Sequence, residues 1–348
     1  MTTAVPWQSP TLDTSRVSVI AEAGVNHNGD PGLAHLLVDL AAESGADAVK
    51  FQTFDPAQLA SPSAATTPYQ RASGHTDGQA EMLAALVLPR SLWPELAAHA
   101  DEVGVAFLST PFDIRSAEML TELGVDALKI GSGELTNHDF LRDVAGLGKP
   151  LILSTGMGTL AEVASAVEVC AAAPLLTLLH CVSAYPAPAD ECNLLTIPAM
   201  AAAFDVAVGW SDHTTQVTTA LLAVALGARV LEKHMTTDRT LPGPDHAASL
   251  EPDEMREYVE QARAVPSILG DGIKRRMPSE EENASLVRRS WHATRNLPRG
   301  HSIRPGDLVA LRPESGISAA VPVLGRVLLH DVPQGDPLTS DSLEQVGP

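Results

Sequence analysis

Eight short apolar runs recur between residue 17 and about residue 270, each followed by a stretch with helical spacing of apolar positions. No other feature constrains the fold so strongly. The runs are RVSVIAEAG, ADAVKFQTF, GVAFLSTPF, DALKIGSGE, KPLILSTG, LLTLLHC, DVAVGWSD and ARVLEKHM, and amphipathic Ala-rich stretches such as PGLAHLLVDLAAESG and TLAEVASAVEVCAAA lie between them. Strand and helix in strict alternation predict a parallel sheet of the α/β class. Eight pairs over this length fit a closed (β/α)8 TIM barrel better than a six-stranded doubly wound sheet. One connection is oversized: residues 55 to 90, rich in Pro, Ser, Thr and Gly, follow the second run where a lid could form.

Past SILGDGIKRRMPSEEEN the rhythm stops, and short segments dense in Pro and Gly take over. The boundaries expected are a barrel over 1–270, a linker over 271–286 and a small β-rich domain over 287–348. Within that domain NLPRGHSIRPGDL (296–308) and DVPQGDPLTSDSL (331–343) align with Pro, Gly and Leu in register, which suggests two similar arms. About 60 residues give a marginal core, so this domain is expected to dock on something.

Composition excludes several partners. Among 348 residues, 45% are hydrophobic, yet no apolar stretch approaches the roughly 18 to 20 residues that span a bilayer, so no membrane partner is expected. A net charge of −20 with scattered Lys and Arg argues against nucleic acid. An anionic substrate would need its own local cationic pocket. The opening stretch MTTAVPWQSPTLDTSR lacks a basic start followed by an apolar core, and no secretion signal is expected. A cytoplasmic location follows as the default, with Cys170, Cys181 and Cys192 as reduced thiols.

In a barrel the functional face lies at the strand C-termini. The run ends offer Glu22 with Asn26 and His27, Lys50 with Gln52, Ser109 with Thr110, Lys129 with Ser132 and Glu134, and Ser154 with Thr155. The last three runs add Ser183 with Tyr185, then Ser211, Asp212 and His213, then Glu232 and His234. His213 and His234 leave adjacent strands at similar height, so two imidazoles can converge on one divalent ion. Glu22 and Glu134 could complete its shell or bind its waters, a set suited to Mn²⁺, Co²⁺ or Mg²⁺. Lys50 and Lys129 each end an apolar run, and a lysine there is costly unless it meets an anion. With the hydroxyls of Ser132 and Ser154 and the glycines of GSGE and STGMG they read as a phosphate cradle. A Schiff-base lysine is the competing use of the same residue type.

These residues stand in segments that resemble the sialic acid synthases, which condense phosphoenolpyruvate with an N-acylmannosamine-type sugar. The matching segments run in the family's order from residue 17 over nearly the whole chain: IAEAGVNHNGD, GADAVKFQTF, FLSTPFD, LKIGSGE, LILSTGM, HCVSAYPAP, VGWSDHT and LEKHMTTDRTLPGPDHAASLEPDE, then RRSWHATRNLPRG and LRPESGIS in the tail. The tail is similar to the antifreeze-like (SAF, β-clip) domain that in this family crosses to the partner's barrel in a domain-swapped homodimer.

The resemblance implies His213 and His234 as ligands of a divalent metal, Mn²⁺ first and Mg²⁺ or Co²⁺ as alternatives. It implies Glu22 and Glu134 as the catalytic carboxylates, one of them steering the water that adds to the substrate. Phosphoenolpyruvate would lie on Lys50, Thr110, Lys129, Ser132, Ser154, Ser183 and Ser211, and the sugar on Gln52, Tyr185, Asp245 and Arg312. Ser183 stands where many relatives carry Asn or Ser. Glu314 follows Arg312-Pro313 where Gly is usual, and either difference could alter sugar preference. N-acetylmannosamine, giving N-acetylneuraminate, is the simplest acceptor; a 2,4-diacetamido-trideoxymannose giving legionaminate is the alternative. A 6-phosphorylated sugar is less expected, because no further basic cluster is present. A metal-dependent or Schiff-base aldolase and a non-catalytic sugar-binding module are the readings from other classes.

Overall fold

The computed structural model describes residues 16–72 and 78–344; the opening segment read above for a secretion signal lies outside the described residues, apart from Arg16. The chain divides into two compact units, Met1–Gly270 and Asp271–Pro348.

The first unit holds eight parallel strands: β1 (Ser18–Gly24), β2 (Ala48–Thr53), β3 (Ala106–Pro111), β4 (Leu128–Ile130), β5 (Leu151–Ser154), β6 (Leu176–Cys181), β7 (Ala207–Asp212) and β8 (Val230–His234). Their order is β3-β2-β1-β8-β7-β6-β5-β4, and the end strands β3 and β4 are neighbours, so the sheet curls into a nearly closed TIM-like barrel. Each of the eight runs read from the sequence supplies one strand. Sequence sets the helix starts as well: Asp30 and Asp113 cap the helices Pro31–Glu43 and Ile114–Leu123, and Thr159 with Glu162 forms a capping box on Leu160–Val169.

Strand alternation then builds two layers inside the barrel. Ile20, Ala48, Ala106, Leu108, Ala127, Ile152, Leu179 and Val230 form an apolar plug. Moving two residues towards the strand C-termini replaces several of these with Glu22, Lys50, Thr110, Lys129, Ser154, Cys181 and Glu232, so the polar layer sits on the plug. Gly209 is required within it, because a Cβ there would lie 2.3 Å from the carbonyl oxygen of Val230 and 2.6 Å from Leu179. The outward faces pack on the helices in one large core that includes Phe51, Trp93, Trp210 and Tyr258.

Among its described residues the long connection after β2 has three short helices, Pro56–Leu59, Pro68–Ala72 and Gln79–Ala85. Met82 and Leu86 from it pack with Val25 and Phe54. Among the described residues no helix is long and apolar enough to cross a membrane.

The second unit pairs β9 (Ser290–Ala293) with β10 (Leu308–Leu311) in antiparallel fashion. Its two sequence arms are joined at equivalent positions: Leu297 and Val332 exchange backbone hydrogen bonds of 2.9 and 2.8 Å. Ile303 and Leu338, also equivalent, are buried in the shared core with Leu328 and Leu343.

Candidate active site

A cavity of about 300 Å³ opens at the C-terminal ends of the strands. Its lining includes Glu22, Lys50, Gln52, Thr110, Lys129, Ser132, Ser154, Ser183, Tyr185, Ser211, His213, His234 and Asp245. Thirteen of the fifteen residues to which the resemblance gives a role therefore share one space. Two do not. Glu134 lies on the turn after β4, where its carboxylate accepts a 2.7 Å bond from Asn137, and it is outside the lining. Arg312 is exposed in the second unit.

Register sets the heights. Glu22 pairs with Lys50 on one side and His234 on the other, and Gln52 pairs with Thr110. The Lys50 ammonium lies 2.6 Å from Glu22 and donates to Thr110 Oγ1 at 2.8 Å. Lys129 donates to Ser154 Oγ at 2.7 Å and to its neighbour's carbonyl at 3.0 Å. Between the two lysines stands Glu232, 3.7 Å from each and bonded by Ser211 Oγ at 2.9 Å. Gln52 donates to the other oxygen of Glu22 at 3.1 Å. Gly24, at φ +52°, lets this pair close up, since a Cβ would stand 3.2 Å from the Glu22 carboxylate.

All four charged groups are buried, so each charge depends on its neighbours. Burial lifts the Glu22 carboxyl from 4.5 to about 7 against the pull of Lys50. Burial also opposes the Glu232 anion, but Lys129 and Lys50 outweigh it and hold that carboxyl below its ordinary value. The Lys50 ammonium is disfavoured by burial, yet Glu22 and Glu232 keep it above its ordinary value; for Lys129 burial prevails and the value falls. Near neutral pH the cluster is a cationic pocket moderated by one firm anion.

At the ends of β4 to β6 small polar side chains gather closely. Ser132 Oγ accepts from the backbone N–H of Gly156 at 3.0 Å and sits 3.1 Å from Cys181 Sγ. A Cβ on Gly156 would stand 2.3 Å from Ser183 Oγ and 2.7 Å from Cys181 Sγ, so glycine is what lets these hydroxyls gather.

Next to β6, at the ends of β7 and β8, the rings of His213 and His234 lie 5.6 Å apart, with Tyr185 at 4.1 and 5.5 Å. His213 Nδ1 donates to the Val182 carbonyl at 2.7 Å, which leaves Nε2 as the lone-pair nitrogen. The buried Nδ1 of His234 has no hydrogen-bond partner and stands 3.7 Å from Asp245. Burial lowers His213 to about 4 and His234 well below its ordinary value, and lifts Asp245 to about 6. Two neutral imidazoles, one with a fixed tautomer and one with an unpaired ring nitrogen, fit a divalent cation. Among the described residues no three His, Cys, Asp or Glu side chains are grouped to hold a metal, so protein ligation would rest on these two rings. Glu22 and Glu134 are engaged elsewhere.

The sequence reading names Glu232 as a run end and Cys181 as a thiol but gives neither a part in the site, although both line the cavity. The signal for Glu232 was alternation: it stands two residues before His234 and so shares its face. Thr67, Gln70, Met82, Leu83 and Leu86 come from the long connection, which therefore forms one wall.

The N,N'-diacetyllegionaminic acid synthase of Campylobacter jejuni subsp. jejuni is 45% identical over 86% of this chain and 92% of its own length. The protein of the same name from Legionella pneumophila subsp. pneumophila is 44% identical over 86% of each chain. Among solved structures, the N-acetylneuraminic acid (sialic acid) synthetase of Leptospira borgpetersenii serovar Hardjo-bovis superposes with a TM-score of 0.68 at 34% identity, covering 78% of this chain and 90% of that one. The SAF domain profile matches residues 288–344. The profile of the NeuB family matches residues 37–274, and the chain belongs to that family.

Proposed function

We propose that this protein joins phosphoenolpyruvate to the open-chain form of a 2,4-diacetamido-trideoxymannose, giving an N,N'-diacetyllegionaminic acid and inorganic phosphate. The broader reaction is that of its family: it is a phosphoenolpyruvate-dependent, carbon–carbon bond-forming nonulosonic acid synthase. The observation that carries the reading is the opening of Lys50, Lys129 and the His213–His234 pair onto one cavity. An anion cradle thereby adjoins a place where a carbonyl can be polarised.

Phosphoenolpyruvate, a trianion, would lie against Lys50 and Lys129 with the hydroxyls of Thr110, Ser132, Ser154, Ser183 and Ser211. His213 and His234 would hold a divalent cation, Mn²⁺ in preference to Mg²⁺ or Co²⁺, which would supply Lewis-acid polarisation of the aldehyde. C3 of phosphoenolpyruvate forms the new bond to the aldehyde carbon as the C=O electron pair passes to the aldehyde oxygen, which ends as a hydroxyl with one proton of the water consumed next, and positive charge develops at C2. Water adds at C2 while Glu22, balanced near neutrality and oriented by Gln52, takes its proton. Collapse of the tetrahedral centre breaks the C2–O bond and releases phosphate, leaving a 2-keto acid. Tyr185 and Asp245 stand on the sugar side. Glu134, held by Asn137, takes no step in this geometry.

Three observations support the diacetamido sugar over its competitors. The relatives at 45% and 44% identity carry that product in their names, against 34% for the sialic acid synthetase. Val25, Met82, Leu83, Leu86 and Phe112 also give the cavity an apolar wall suited to a deoxy carbon and acyl methyls. Lys50 and Lys129 are the only ammonium or guanidinium groups among the described lining residues, leaving none for a phosphorylated sugar. The reading extends to a domain-swapped homodimer in which Arg312 of the tail reaches the sugar's acyl group, and to action in the cytoplasm.

The test is phosphate release by metal-stripped protein with Mn²⁺ restored, offered the diacetamido sugar, N-acetylmannosamine or its 6-phosphate, with products weighed by mass spectrometry. Release with the diacetamido sugar is expected. Release only with N-acetylmannosamine would overturn the acceptor and keep the chemistry. Product formation from pyruvate, or borohydride trapping on Lys50 or Lys129, would instead establish an aldolase.

A further inference from the structure

Lys233 lies between Glu232 and His234 but faces away from the cavity, and it is 1% exposed. A buried ammonium needs acceptors, and this one has two backbone carbonyls, those of Asp212 at 3.1 Å and of Thr214. These oxygens bracket His213. The carbonyl of His213 itself accepts from the N–H of Ala187 at 2.8 Å, so three successive carbonyls at the exit of β7 are all bound. Asp212 tightens the same turn: its Oδ1 accepts from the backbone N–H and hydroxyl of Thr214 at 2.9 and 2.8 Å, and its Oδ2 from Thr219 at 3.0 Å and Tyr258 at 3.2 Å. With the backbone held there and Nδ1 held by Val182, the imidazole of His213 has one available orientation.

We propose that Lys233 is a positioning residue for the metal site: by clamping the carbonyls on either side of His213 it fixes where that imidazole presents the lone pair of Nε2, which lies 3.4 Å from Ser211 Oγ. The proposal rests on the reading of His213 as a metal ligand. An ordinary buried lysine would need acceptors anywhere in the core. Lys233 takes both of its acceptors from the residues flanking one ligand, and it extends from the strand that carries the other.

Free Mn²⁺ is measured by its electron paramagnetic resonance signal as metal-free protein is titrated, with and without phosphoenolpyruvate. The proteins compared are the wild type, His213→Ala, Lys233→Met and Lys233→Gln; the last keeps one short donor if the methionine variant does not fold. Supports of metal ligands are typically worth about 10- to 100-fold in affinity. At least a tenfold rise in the Mn²⁺ dissociation constant is therefore expected for a folded Lys233 variant. At saturating Mn²⁺, its kcat and its KM for phosphoenolpyruvate should stay within about threefold of wild type. Mn²⁺ affinity within twofold of wild type, or a kcat loss that Mn²⁺ does not restore, would show Lys233 to be a core lysine only. If wild type binds no Mn²⁺, or His213→Ala binds it as wild type does, the metal reading itself fails and the clamp falls with it. Retention by wild type and loss in His213→Ala isolate the Lys233 question.

Discussion

The Lys50 ammonium and the Glu22 carboxylate face each other at 2.6 Å with side-chain exposures of 3% and 2%. Buried pairs of this kind rarely add stability, because desolvation offsets the attraction. What the pair sets is protonation. Glu22 sits near 7 while Lys50 keeps its charge, which suits a base beside an anion site.

For Glu22→Gln, kcat should fall by about 10²-fold or more, the usual worth of a positioned base. In the wild type, kcat/KM should rise with pH through about 7 as Glu22 loses its proton. Rate–pH profiles of both proteins test this, and a glutamine variant that keeps the limb near pH 7 would assign the limb to another group.

Glu232→Gln should move the alkaline limb of kcat/KM for phosphoenolpyruvate to lower pH. The Glu232 anion raises the Lys129 value against the effect of burial, so its removal lets the ammonium lose its proton earlier. An unmoved alkaline limb would show that Lys129 charge does not govern binding.

Removing either imidazole, as His213→Ala or His234→Ala, should abolish Mn²⁺-dependent turnover while circular dichroism shows the fold intact. The His213 ring also links folding to pH in metal-free protein. Its folded value of about 4 lies below the unfolded 6.5, so its contribution is present above 6.5 and is lost as pH falls towards 4. The shift corresponds to about 3 kcal/mol. His213→Asn should flatten that part of a denaturation–pH curve, and an unchanged slope would place the linkage elsewhere.

Gly156→Ala should raise the KM for phosphoenolpyruvate by about tenfold or more, because the new methyl group overlaps Ser183 and Cys181 and pushes the hydroxyls of the cradle apart. Steady-state kinetics together with a melting temperature separate this from unfolding. A wild-type KM would mean that the cradle does not hold the phosphate.

Arg312→Ala should raise the acceptor's KM and leave that of phosphoenolpyruvate nearly unchanged. Equal effects on both substrates would show that the tail arginine does not select the sugar.

Much of this was legible in the chain itself. Strand number and direction follow from eight repeats of one hydrophobic rhythm, and strand ends nominate polar residues because barrel mouths are where strands stop being buried. The pairing of the tail's arms was visible in part, since equivalent residues such as Leu297 and Val332 stand in register in the two copies. Less legible was which polar residues meet. Glu134 stands only two residues from Ser132, yet the turn after β4 directs its carboxylate to Asn137.

The sequence by itself determined the barrel and the types of chemistry on offer, because periodicity and composition are local properties that survive without coordinates. Tertiary structure alone decided that Glu232 stands between Lys50 and Lys129 and that Lys233, one residue on, grips the backbone around His213. Both outcomes depend on register between β8 and its neighbours. Register is a relation between distant segments, and a shift of one residue would send every side chain of a strand to its opposite face.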